Sequence, residues 1–152
     1  MTPPSSSHLP SLYFDGPVWL ASDMHLNEKH PRTREAFIDF LALAADEAAA
    51  LLLPGDVFDA WVGDDILPHA PDWLRASTDA LKQAGRKIPV YLGPGNRDFL
   101  LGDAFAQHTG TQRLPDRCVI HTPAGAYLLS HGDELCTDDV AYQQFRAMVR
   151  NP

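Results

Sequence analysis

A chain of 152 residues has room for one domain of ordinary size and for little more. Hydrophobic residues at 45% and charged residues at 21% exclude an intrinsically disordered chain. Twelve Lys and Arg against 20 Asp and Glu leave a net charge of −8, which excludes a nucleic-acid binder acting through its bulk field.

The opening Met-Thr-Pro-Pro-Ser-Ser-Ser-His has no basic stretch and no apolar one, so no signal peptide is expected. Residues 1–16 read as a flexible polar leader and 17–152 as the folded domain. Val18-Trp19-Leu20 predicts a short strand. Within Thr33–Ala48, Phe37, Phe40, Leu41, Ala44, Ala45 and Ala48 follow the spacing of a half-buried helix. Ala50–Leu53 predicts a buried strand stopped by Pro54-Gly55. Pro71–Ala84 predicts a helix with Gly85 as its left-handed terminator. Pro89–Leu92 is a third strand, and Gly102–His108 a short helix closed by Gly110. Arg117–His121 and Tyr127–Ser130 predict a hairpin across Thr122–Gly125. Asp138–Arg150 is a last helix, with Ala141, Phe145, Met148 and Val149 as its core face. Strands alternating with helices predict an α/β layered fold with a partly parallel sheet.

The longest apolar run, Ala48–Leu53, falls far short of the ~20 residues that span a bilayer. Cys118 and Cys136 have no metal or redox spacing and read as reduced thiols. A cytoplasmic protein is the expectation.

Four apolar strands run into turns that hold ligand-type side chains. Trp19-Leu-Ala-Ser leads to Asp23 and His25, Leu51-Leu-Leu-Pro-Gly to Asp56, Val90-Tyr-Leu-Gly-Pro-Gly to Asn96, and Leu128-Leu-Ser to His131. Ligand sites in open α/β sheets lie outside the carboxyl ends of the strands, so these five side chains are expected around one crevice. Asp23 and His25, two apart on an extended segment, point the same way. Gly55, Gly95 and Gly132 permit tight turns and close approach. Carboxylate, imidazole and amide donors together suit Mn²⁺, Fe²⁺ or Zn²⁺ better than Ca²⁺. A central Asp56 can be shared by two ions, the arrangement that activates water against a phosphoester.

In this order the motifs resemble those of the calcineurin-like metallophosphoesterases. Ser22–Leu26, Gly55–Asp65, Gly95–Gly102 and His131–Asp139 are most similar to the branch that cleaves UDP-2,3-diacylglucosamine in lipid A biosynthesis. The resemblance implies an αββα sandwich, of which this chain holds the N-terminal part. It also implies two Mn²⁺ ions and a nucleotide-linked lipid cut to UMP and 2,3-diacylglucosamine 1-phosphate. Asp23 and His25 would hold one metal, Asn96 and His131 the other, with Asp56 shared. Asn96, Arg97 and Asp139 would contact substrate, and Asp56, Asn96 and Arg97 would carry catalysis. Peripheral contact with the cytoplasmic face of the inner membrane follows from the family alone. The family's later Gly-His-x-His and its helical insertion are not found before Pro152, so the chain reads as a truncated copy with one His fewer on each metal. Two other readings stay open: a phosphodiesterase or nucleotide phosphatase on the same scaffold, and a non-catalytic metal-binding fragment.

Plainer roles compete at each position. Asp56 can cap a helix, Asn96 can fill a left-handed turn, and His131 can be a hydrogen-bonded core residue. Asp59, Asp64 and Asp65 read equally as surface carboxylates or as groups that orient ligands. Trp61 and Trp73 read chiefly as packing.

Overall fold

A computed structural model of the chain describes residues 8–150. In chain order it forms β1 (Ser11–Tyr13), β2 (Val18–Leu20), α1 (Pro31–Glu47), β3 (Ala50–Leu53), α2 (Asp72–Gly85) and β4 (Val90–Leu92). There follow α3 (Asp103–Thr109), β5 (Gln112–Arg113), β6 (Arg117–Thr122), β7 (Gly125–Ser130) and α4 (Val140–Val149). Short 3₁₀ helices cover Asp64–His69 and Asp133–Leu135.

Two sheets carry the fold. One is wholly parallel, in the order β2-β3-β4-β5; the other has the order β1-β6-β7, with β1 parallel to β6 and β6 antiparallel to β7. The four residues of β3 are all buried, and their alternation divides two cores. Leu51 and Leu53 join Val90, Leu92, Phe37, Leu41, Leu74, Leu81 and Phe105 beneath α1, α2 and α3. Leu52 turns the other way, onto Leu114, Cys118 and Ile120 between the sheets. Helices, parallel sheet and mixed sheet therefore make three successive layers.

Four expectations need correction. The leader gives way at Ser11: its first seven residues lie outside the described ones, but Ser11–Tyr13 pairs with Val119–His121 and sets Leu12 in the intersheet core. Too few apolar residues lie there to show as a strand in sequence. The two-residue β5 escapes notice for the same reason, since pairing with Tyr91 and Leu92 alone defines it. Gly85 is the last helical residue of α2 rather than a left-handed cap. A Cβ at Gly85 would lie 3.2 Å from the Gly110 carbonyl, so glycine there serves a close approach; Gly110 does adopt the left-handed cap, at φ 69°.

The fourth correction concerns α4. Its expected core face is open, with Phe145 43% and Met148 72% exposed, and none of its residues is buried. The helix docks through its polar side instead. Arg146 Nε donates to Asp133 Oδ2 at 2.9 Å and its Nη2 to Asp116 Oδ2 at 2.9 Å, while the Tyr142 hydroxyl donates to Asp133. Apolar spacing marked a stripe, and the acidic partners brought by distant loops decided which side turned inward.

Candidate metal centre

The parallel ladder does not stop where β2 and β3 end. Asp23 N donates to the Gly55 carbonyl, His25 N to that of Asp56, and Leu26 N to that of Val57, so the two following loops run side by side. Asp23, His25 and Asp56 sit at φ 60°, 48° and 53°, in the left-handed region that Asp and His visit more readily than most residues. The pair at 23 and 25 thus converges from a left-handed turn, which corrects the extended segment expected there. Gly55 and Gly95 pack backbone to backbone: a Cβ on Gly95 would fall 2.0 Å from Asp56 Oδ1. Glycine at that position is what lets the β4 loop close over Asp56.

The structure brings together all five predicted ligands. Asp23, His25 and Asp56 each offer an atom within 4.8 Å of the others. Asp56 is 2% exposed. Its Oδ1 accepts the Arg97 backbone N–H at 2.9 Å, and its Oδ2 lies 3.5 Å from His25 Nε2 and 3.6 Å from His131 Nε2. One carboxylate oxygen therefore stands between two imidazoles. His131 arrives from the second sheet, on an antiparallel strand, and not from the open parallel sheet alone.

The donor chemistry fits divalent cations. His131 Nδ1 lies 3.0 Å from the Pro54 carbonyl, which can only accept, so Nδ1 carries the proton and Nε2 presents a lone pair. That lone pair faces Asn96 Oδ1 at 3.1 Å. An imidazole nitrogen and an amide oxygen facing one point can serve one cation together, because bonds of about 2.1 Å at a right angle span about that distance. His25 Nδ1 lies 3.4 Å from Asp59 Oδ1, the carboxylate–histidine pairing that orients a ligating ring. Asp23, His25 and Asp56 would hold one ion, and Asp56, Asn96 and His131 a second.

Asp98, which closes the Gly95-Asn-Arg-Asp motif, has a role that the sequence alone does not reveal. It is fully buried. Its Oδ1 accepts from Asp56 N at 3.0 Å and Gly95 N at 2.9 Å; its Oδ2 accepts from Val57 N at 2.8 Å and Phe58 N at 3.2 Å. One side chain so binds the β3 loop to the β4 loop. Burial pushes its carboxyl above the ordinary range, with the backbone donors acting the other way. An acid two residues beyond a Gly-Asn pair, where the chain turns and backbone N–H groups want acceptors, is the available signal.

The remaining candidates separate. Arg97 lies at the rim, its Nε donating to the Asp59 carbonyl at 2.9 Å and its Nη2 to Asp59 Oδ1 at 3.1 Å. Asp139 caps α4 by accepting the Tyr142 N–H, and with Asp23, Asn96, His131 and Tyr142 it borders a cavity of about 390 Å³. Asp64 is structural: it accepts from Trp61 Nε1, Gly102 N and Phe105 N. Trp61, 6% exposed, packs on Phe58 and Phe105.

The profile of the calcineurin-like phosphoesterase family matches residues 16–150. Over 141 residues the chain is 58% identical to a UDP-2,3-diacylglucosamine hydrolase of Bordetella parapertussis, covering 93% of this chain and 55% of that protein. A Stenotrophomonas maltophilia protein of the same name is 46% identical over 131 residues, or 86% of this chain and 52% of its own. The chain thus spans about half the length of these curated relatives. Among solved structures, Pseudomonas putida nuclease MPE aligns at 26% identity and a TM-score of 0.47, over 64% of this chain and 46% of that one.

Proposed function

The chain belongs to the calcineurin-like phosphoesterase family, and from that premise we propose that its protein hydrolyses the diphosphate of UDP-2,3-diacylglucosamine. The products are UMP and 2,3-diacylglucosamine 1-phosphate. One observation carries the reading: Asp56 Oδ2 lies within 3.6 Å of imidazoles supplied by two different strand ends, with Asp23 and Asn96 beside them. The substrate is taken from the relatives' names.

Two Mn²⁺ ions are the proposed cofactors, because the donors mix carboxylate, imidazole and amide. Bound there, they would lower the pKa of a coordinated water and polarise phosphoryl oxygens. The chain's own groups prepare that chemistry. His131 keeps Nε2 free by donating Nδ1–H to Pro54, and Asp59 holds the His25 ring. Asn96 and Arg97 would receive the diphosphate at the rim, the guanidinium fork matching two phosphate oxygens. Asp139, which lines the same cavity as Asn96 and His131, would meet the remainder of the substrate. Peripheral contact with the cytoplasmic face of the inner membrane belongs to the same proposal, because the substrate's acyl chains reside in a bilayer. Among the described residues no helix is long and apolar enough to cross a membrane.

The test is release of UMP from the synthetic lipid with added Mn²⁺, alongside lipid-free UDP-sugars. The lipid is expected to be the better substrate, and Asp56→Ala to abolish its turnover. Normal rates in Asp56→Ala would overturn the shared-ligand assignment. Equal rates on lipid-free nucleotides would overturn the substrate.

A further inference from the structure

The two halves of the site are held by different means. Asp23, His25 and Asp56 are fixed by the ladder bonds between the β2 and β3 loops and by Asp98, none of which involves α4. The Asn96–His131 half rests partly on a residue just past the end of α4. Arg150 Nη2 donates to the Gly95 carbonyl at 2.7 Å and lies 3.3 Å from Asp133 Oδ2, while its Nη1 donates to Asp116 Oδ1. Its side chain is 10% exposed, and that of Asp133 is 6% exposed.

These contacts sit beside the ligands. Gly95 and Asn96 share a peptide plane, and rotation of that plane swings the Asn96 side chain. Asp133 follows His131 by two residues, across Gly132 at φ 93°. Its carboxylate also accepts from Arg146 and Tyr142. The planar fork of Arg150 is thus anchored on a buried carboxylate and reaches one backbone carbonyl.

We infer that Arg150 is a positioning residue: by tying the Gly95–Asn96 peptide to Asp133, it holds Asn96 Oδ1 and His131 Nε2 at the separation that accepts a second cation. The inference rests on the two-metal reading above. Arg146 shares Asp133 and Asp116 with Arg150 but makes no bond to the Gly95 loop, so it serves as the internal control.

The experiment is Mn²⁺ titration of the full chain by calorimetry, with electron paramagnetic resonance to register paired ions. Unfolding midpoints confirm that each variant is folded. The unsubstituted protein is expected to take two ions. Arg150→Ala retains the first with unchanged affinity and loses at least tenfold in the second, together with the paired-ion spectrum. Arg150→Lys keeps the charge but cannot contact the carbonyl and both carboxylates as a fork, and it falls between. Arg146→Ala leaves the second affinity within twofold. Two undiminished ions in Arg150→Ala overturn the inference, as does an equal loss in Arg146→Ala, which would mean that docking of α4 alone matters. Fewer than two ions in the unsubstituted protein overturn the two-metal reading itself.

Discussion

Asp98 satisfies four backbone N–H groups with two oxygens, and no other residue type can do so in that space. An amide would offer one oxygen and turn an NH₂ toward two donors. Asp98→Asn is therefore expected to destabilise the fold by about 3 kcal/mol, as buried unsatisfied donors do. Urea unfolding of the two proteins measures the difference, and a change below about 0.5 kcal/mol would show that these bonds are dispensable. The same substitution is expected to weaken metal uptake, because Asp56 and Gly95 lose their common anchor. The candidate ligands are legible in sequence: Asp23, His25, Asp56, Asn96 and His131 each follow an apolar strand and are chemically conspicuous. Asp98, two positions from Asn96, is not legible in the same way, because it acts on backbone groups that carry no sequence signature. Asp59 reads either way in sequence for a related reason, as its partners His25 and Arg97 meet it only through the fold.

At the scale of elements, apolar runs with clear period or flanking Gly and Pro were legible. The strands at Val18, Ala50 and Val90, the helices α1 to α3 and the β6–β7 hairpin all stand within a few residues of their expected bounds. Elements that depend on a partner were not. Strand β1 exists through β6, and α4 turns by its ion pairs rather than by its apolar stripe. The 3₁₀ turn after His131 shows how such pairs matter. Arg117 Nε on β6 donates to Glu134 Oε1 at 3.0 Å, and the Glu134 side chain is 9% exposed. Burial works to raise the Glu134 pKa, but backbone and Ser130 hydrogen bonds and Arg117 bring it below its ordinary 4.5. A carboxyl lowered on folding contributes stability that is complete above the ordinary value and is lost as pH falls through the folded one. Glu134→Gln is expected to lower stability at neutral pH and to flatten the acid limb, with the two proteins converging at low pH. Urea midpoints measured across the acid range test this, and parallel curves would refute it.

At the largest scale, the two sheets leave strand edges free among the described residues. Among the described residues β2 and β7 each pair on one side only, and between them opens an apolar groove of about 750 Å³ bordered by Val18, Leu20, Ile120, Tyr127 and Leu129. Leu128, on the outer face of β7, is 67% exposed. Unpaired edges with exposed apolar side chains template association. Leu128→Lys is expected to raise the concentration at which the protein stays monomeric by light scattering, without changing its unfolding midpoint. No shift in that concentration would clear the β7 edge of responsibility.

Asp23, His25 and Asp56 hang on left-handed backbone, a conformation that costs L-residues roughly 1 kcal/mol each. The hydrogen bonds that clasp the two loops together meet that expense, so replacing any of the three by a β-branched residue, which shuns positive φ, is expected to splay the turns and part the side chains they gather.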